Sequence, residues 1–106
     1  MIARTPEPPY YAVIFTSLRT EGDAGYAAMA VEMDELAKRQ PGYLGIESAR
    51  EQVGITVSYW QSLDDISRWR RDVEHLVAQR LGREQWYRAY AVRIARVERA
   101  YGFEKA

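Results

Sequence analysis

An α+β domain of the ferredoxin-like, split βαβ type with an antiparallel sheet is predicted by three features of the chain. Apolar patterns follow one another as strand, helix, strand, strand, helix, strand. The strand segments are apolar on both parities, as strands covered on both faces must be. The length, 106 residues with 47% hydrophobic content, suits one compact domain with a single core.

Taken in order, residues 1–10 hold three of the four prolines and read as an extended arm, because proline fixes φ and restricts the residue before it. Residues 11–106 form the domain. Tyr11-Ala-Val-Ile-Phe-Thr-Ser-Leu18 is rich in β-formers and predicts the first strand. Thr20-Glu-Gly-Asp-Ala-Gly25 is a turn, with Asp23 placed to cap the next helix. Tyr26, Met29, Ala30, Met33, Leu36 and Ala37 fall on one face at i, i+3, i+4 spacing, which predicts an amphipathic helix over 26–39. Gln40-Pro-Gly42 stops it.

Two further strands, 43–49 and 54–60, are joined by the polar Arg50-Glu-Gln-Val53 and predict a hairpin. Ser62-Leu-Asp-Asp65 has the form of a capping box with Asp in its fourth position. The helix it opens carries Leu63, Ile66, Trp69 and Val73, then Leu76, Val77, Arg80 and Leu81 up to Gly82, with a break expected near Asp72. Residues 83–90 predict one or two more helical turns, and 91–98 the last strand. Helices on one sheet face leave the other apolar face open. At this size a second copy covers it most simply, giving an isologous homodimer in which two sheets form an α+β barrel.

Composition narrows the function classes. Without cysteine there are no disulfides, thiolate metal sites or cysteine nucleophiles. One histidine and no Asp/Glu/His spacing of metal-ligand type make a metal site unexpected, and no glycine-rich strand-to-helix loop is present to hold phosphate. Only Lys38 and Lys105 are lysines, so thirteen of the fifteen basic residues are arginines. They alternate with acids, as in Arg68-Trp-Arg-Arg-Asp-Val-Glu74, which describes a solvated, ion-paired surface and not a nucleic-acid face. The start lacks a signal pattern and no apolar run spans a bilayer, so a soluble, cytoplasmic protein without a membrane partner is expected.

The densest chemistry lies in Gly54-Ile-Thr-Val-Ser-Tyr-Trp60, Ser62-Leu-Asp-Asp-Ile-Ser-Arg-Trp69 and His75, where a strand ending in one tryptophan leads into a helix bearing another and the single histidine. Gln40-Pro-Gly-Tyr-Leu-Gly45, Tyr59-Trp60, Trp69 and His75-Leu-Val-Ala-Gln79 resemble the pattern of the antibiotic biosynthesis monooxygenase-like family of dimeric α+β barrels. The resemblance covers residues 11–103. It implies a homodimer with an aromatic or quinonoid small molecule in a pocket between sheet and second helix. It also implies oxygenase chemistry needing no cofactor: a phenol or hydroquinone is bound and deprotonated, and its electron-rich carbanion reacts with dioxygen.

On that reading Trp69 is a pocket wall, His75 a base or hydrogen-bond donor, Asp65 a polar partner one helical turn from Trp69, and Arg93 on the last strand, or Arg96, the cation beside a phenolate. Trp60 and Phe15 line the pocket. Relatives commonly have asparagine where this chain has Asp65, and tyrosine where it has His75. Each residue also has a plainer reading. Asp65 suits a helix N-terminus, Trp60 and Trp69 stand at core spacings, and a lone histidine is most often a surface residue. Two other uses of the fold remain open: a non-catalytic dimer that binds a hydrophobic small molecule or serves as a subunit or stress-related module, and haem handling. Haem-degrading relatives combine a first-strand asparagine with a histidine ten residues after the tryptophan, whereas this chain has no asparagine and carries Gln79 there.

Overall fold

A computed structural model describes residues 1–23, 25–79 and 83–106. Its elements are β1 (Tyr10–Arg19), α1 (Tyr26–Lys38), β2 (Tyr43–Arg50), β3 (Gly54–Trp60), α2 (Leu63–Gln79), α3 (Arg83–Trp86) and β4 (Tyr87–Val97). The strands form one antiparallel sheet in the order β2-β3-β1-β4. This is the split βαβ arrangement expected from the sequence.

Strand alternation sorts the sheet into two faces. Tyr11, Val13, Phe15 and Ser17 of β1 stand beside Trp60, Ser58, Thr56 and Gly54 of β3, and beside Arg96, Ile94, Val92 and Tyr90 of β4. This is the face the helices cover, because Val13 and Trp60 pack with Ala37 of α1 and Ile66 of α2, flanked by Tyr11, Tyr43 and Trp69. Trp60 is fully buried. The opposite face carries Ala12, Ile14 and Thr16 with Ile55, Val57 and Tyr59, and with Arg93 and Ala95.

Local chemistry explains the element ends. Asp23 Oδ2 accepts from the Ala27 N–H at 3.1 Å, so it serves the first turn of α1 even though Gly25, at φ 82°, is the residue that enters the helix. Ser62 Oγ accepts from the Asp65 N–H at 3.1 Å and donates to Asp65 Oδ2 at 2.8 Å, a capping pair closed between side chains. Helix α2 runs unbroken through Asp72. Its charge-rich turn is held by the Arg70–Glu74 pair at 3.3 Å, and Asp72 accepts from Gln40 at 2.9 Å across to the end of α1. The expected end at Gly82 lies outside the described residues. Strand β4 starts at Tyr87, four residues before the expected start, because Trp86 closes the single turn of α3 and its carbonyl accepts from the Thr20 N–H and from Arg19 Nε, both at 3.0 Å. These bonds draw Tyr87 alongside Arg19.

Gly42 joins the two halves of the domain. Its φ of 82° is left-handed, and the space a Cβ would take is filled by the Asp65 carboxylate. Gly42→Ala therefore meets both backbone strain, about 1–2 kcal/mol, and displacement of the capping carboxylate. A loss of at least about 2 kcal/mol in denaturant unfolding is expected; a change below about 0.5 kcal/mol would show that α2 does not need this fit.

The N-terminal arm lies against the sheet face opposite the helices, beside Gly45, Glu47 and Tyr59. The Ala3 N–H donates to Glu47 Oε2 at 2.8 Å, the Tyr59 hydroxyl donates to Glu47 Oε1 at 2.6 Å, and Thr5 Oγ1 donates to the Tyr10 hydroxyl at 2.9 Å. The bond from Tyr59, then that from Ala3, holds the Glu47 carboxyl below its ordinary value of 4.5. Burial, and then Glu47, pushes the Tyr59 phenol up to about 12. Because Glu47 is depressed in the folded state, its contribution is complete above pH 4.5 and is lost as pH falls through the lower folded value. The stability difference between wild type and Glu47→Gln should be constant above about pH 5.5 and shrink below about pH 4.5 in thermal unfolding scans. A difference that does not vary with pH would remove the carboxylate from the arm's attachment.

Candidate functional site

The helix-covered face is packed at one end and hollow at the other. Where Val13 and Trp60 sit, large side chains fill the layer; farther along, the same face presents Ser48, Thr56 and Gly54. Small polar residues leave room beneath the helices. A cavity of about 540 Å³ results, walled by the Ser48 and Thr56 side of the sheet, by Tyr26, Met33 and Asp34 of α1, and by Trp69 and Val73 of α2. Phe15 and Tyr87 close its inner side. Beyond them, between α2 and β4, lies a second cavity of about 380 Å³ lined by Val77, Trp86, Tyr90, Val92 and Ile94.

Trp69 forms part of the first cavity's wall and stacks on Trp60 at 4.8 Å between ring centroids, 29° between planes. That contact fixes the indole at the border between packed core and hollow. Its Nε1 is buried without a hydrogen-bond partner among the described residues, a cost of about 1–3 kcal/mol set against the burial of two indoles. Phe15 stacks on Tyr90 at 5.3 Å and meets Tyr87 edge-on at 5.4 Å, so both wall aromatics are held by neighbours.

The cation of this cavity is Arg50, at the end of β2. Its side chain lies over Gly54, in the space a Cβ would fill, and its guanidinium donates to the buried Ser17 hydroxyl. The positive charge acts on Tyr87 across the cavity, and so does that of Arg19, which lies 3.4 Å over the Tyr26 ring. Burial, and next a hydrogen bond with Tyr26, raises the Tyr87 phenol well above its ordinary value. Tyr87 thus keeps its proton at neutral pH and offers a hydrogen bond, not a base. Asp34 is held by Lys38 at 2.8 Å. The cavity therefore combines flat aromatic walls with a cation and neutral hydroxyls, a setting for a planar molecule bearing an oxygen anion.

The expected site residues separate. Trp69 and Phe15 line the cavity, whereas Trp60, expected to line it too, is fully buried in the core behind Trp69. Asp65 is buried under Gly42, engaged by Ser62 and by Arg68 at 3.0 Å, and serves the start of α2. His75 stands on the outer side of α2, exposed, 3.2 Å from Gln79 Nε2, in a separate groove between α1 and α2 that includes Glu35, Arg39 and Asp72. Its place follows from the unbroken helix: without a bend at Asp72, six residues beyond Trp69 is a turn to another face. Arg93 pairs with Ile14 on the sheet face opposite the helices, so it does not share a cavity with Trp69. Arg96 is on the helix side but at the packed end, paired with Glu98 at 3.4 Å.

Arg50, Tyr26 and Tyr87 were not expected at a site: by sequence Arg50 opens the hairpin loop, Tyr26 belongs to the apolar face of the first helix, and Tyr87 falls in an aromatic cluster that reads as packing. One signal for the hollow was there: Gly54, Thr56 and Ser58 alternate on one parity of β3, leading to Trp60, so a face facing helices lacks bulk. Among the described residues, no group of three or more His, Cys, Asp and Glu gathers in metal-binding geometry, and no helix is long and apolar enough to cross a membrane.

The same architecture recurs in solved structures. The chain superposes on SnoaB, a cofactor-independent oxygenase from Streptomyces nogalater, with a TM-score of 0.70 at 11% identity, over 86% of this chain and 95% of that one. It matches a protein of the antibiotic biosynthesis monooxygenase type from Caulobacter crescentus at TM-score 0.70 and 14% identity, over 86% and 92%. A protein of unknown function from Nitrosomonas europaea, NE2512, gives 0.67 at 10% identity over 95% and 99%. The domain thus has the fold of the antibiotic biosynthesis monooxygenase-like proteins. No protein-family profile matches the sequence. At the sequence level the chain belongs to the family of YqjZ, an uncharacterized protein of Bacillus subtilis, being 53% identical over 98% of this chain and 93% of that one.

Proposed function

We propose that the protein is a monooxygenase of the cofactor-independent kind, acting on a phenolic or hydroquinone-type aromatic molecule bound in the cavity between sheet and helices. The observation that carries this reading is the placing of Arg50 over Gly54, beside a cavity walled by Trp69, Phe15 and Tyr87. A ring slides between the aromatic walls, and its oxygen anion lies against the guanidinium, with the hydroxyls of Thr56 or Tyr87 as further partners. Holding the anion lowers the cost of losing the phenolic proton to solvent. The electron-rich carbon then gives its electrons to dioxygen. One oxygen atom joins that carbon and the other leaves as water, taking the one hydrogen of that carbon and a proton equivalent to the phenolic one released, so the phenol form of an anthrone and O2 become a quinone and H2O.

Dioxygen uptake with anthrones and naphthohydroquinones, with product analysis, tests this. Uptake should fall in Trp69→Ala and in Arg50→Gln and stay within about twofold in His75→Ala, whose imidazole lies in the other groove. Equal loss in His75→Ala with none in Arg50→Gln would move the site away from this cavity.

A second reading, binding without chemistry, is favoured by one observation: the cavity's carboxylate, Asp34, is already engaged by Lys38, and the only histidine is elsewhere. Ring binding without uptake on any substrate would select it. Haem handling has less support, because no imidazole reaches the cavity; mixing with haem should give no Soret shift.

We also infer a homodimer through the open sheet face, where Ile55 is 45% exposed and Ile14 and Val57 are half-buried. Sedimentation equilibrium should give twice 12.3 kDa at micromolar concentration; a monomer would overturn this reading and leave the arm, bonded to Glu47, as the cover of that face.

A further inference from the structure

The two cavities of the helix-covered face share a wall, Phe15, Met33, Val73 and Tyr87, yet differ in lining. The first has the cation and the hydroxyls. The second is walled by valines, Ile94 and aromatic rings, and the charged pair among its described residues, Arg70 and Glu74, is closed on itself at 3.3 Å. Along it, Val92 and Ile94 stand 49% and 46% exposed on the helix-side face of β4, apolar surface left to water beside the site. An apolar compartment adjoining a polar aromatic one fits a ligand that is itself divided.

We propose that the ligand is an aromatic phenol or quinol bearing an apolar alkyl or prenyl-like side chain, with the ring in the Arg50 cavity and the chain passing Phe15 and Tyr87 into the groove between α2 and β4. This rests on the reading of the first cavity as a ring site. The ring is selected by charge and stacking, and the chain by area removed from water. The groove fixes which end of the ring faces Arg50, because only one orientation of a substituted ring points its chain toward Val92 and Ile94.

The test is a binding series of 2-hydroxy-1,4-naphthoquinones, unsubstituted at the next carbon and with linear 3-alkyl chains of one to eight carbons, followed by tryptophan fluorescence. Their acidic hydroxyl gives these stable probes the oxygen anion that Arg50 is proposed to hold. In the wild type, Kd should fall by about fourfold per added methylene until the groove is filled, then level off. In Val92→Arg/Ile94→Arg, which alters two exposed side chains of an edge strand, the unsubstituted ring should bind within about twofold of wild type while the dependence on chain length disappears. A flat series in the wild type, with the unsubstituted ring bound, overturns the divided-ligand proposal alone. A dependence that persists unchanged in the double variant also overturns it, because the chain would lie elsewhere. Failure of every member to bind overturns the ring-site reading and this proposal together.

Discussion

Arg50→Gln is expected to lower kcat/KM for a phenolic substrate by about ten- to a hundredfold while leaving the fold intact. Removing a preorganised donor from a developing oxyanion costs about 10²- to 10³-fold where the site is dry, and less where water competes. Arg50 is an exposed residue whose hydrogen bond to Ser17 fixes one end of the guanidinium, so the lower part of that range applies before the ligand closes the cavity. The change keeps a polar side chain and removes the charge. If the cation acts on the anion that forms during reaction, kcat and kcat/KM fall together; if it acts only in binding, KM rises and kcat stands. Arg93→Gln, on the other sheet face, should leave both constants unchanged. Equal effects of the two substitutions would mean that net charge, and not the Arg50 position, matters.

Trp60→Ala carries the largest expected effect on stability. The side chain is enclosed on all sides and reached by no water, with Tyr43 edge-on at 5.7 Å and Trp69 stacked at 4.8 Å, and its Nε1 donates to Ser58 Oγ at 2.9 Å. Truncation loses the transfer energy of an indole and leaves a cavity that a sheet and two helices cannot close, about 3–5 kcal/mol. It also leaves the buried Ser58 hydroxyl without its donor. Trp60→Phe keeps much of the area but not the hydrogen bond and should cost less. The measurement is the denaturant midpoint at constant slope; a loss under about 1 kcal/mol for the alanine variant would mean that the core is centred elsewhere. Because Trp69 rests on Trp60, the alanine variant should also weaken ring binding even where it remains folded.

The order and type of the elements were legible in the chain, since periods of 2 and 3.6 are local properties. So were the central positions of Trp60 and Trp69, the Gly42 turn and the Ser62 cap, all of which depend on near neighbours or on apolar patterning. Two features required the folded arrangement. Whether α2 bends at Asp72 depends on Gln40, thirty-two residues away, and on the Arg70–Glu74 pair; its straightness carries His75 out of the cavity. Which arginine meets the cavity depends on strand register, because a shift of one residue exchanges the faces. Register puts Arg93 on the open face, and the hairpin brings Arg50 over Gly54 to Ser17, thirty-three residues earlier in the chain. Charge and aromatic character are written in the residue types, but convergence is a property of side chains that meet only when β1, β2 and β4 lie in one sheet.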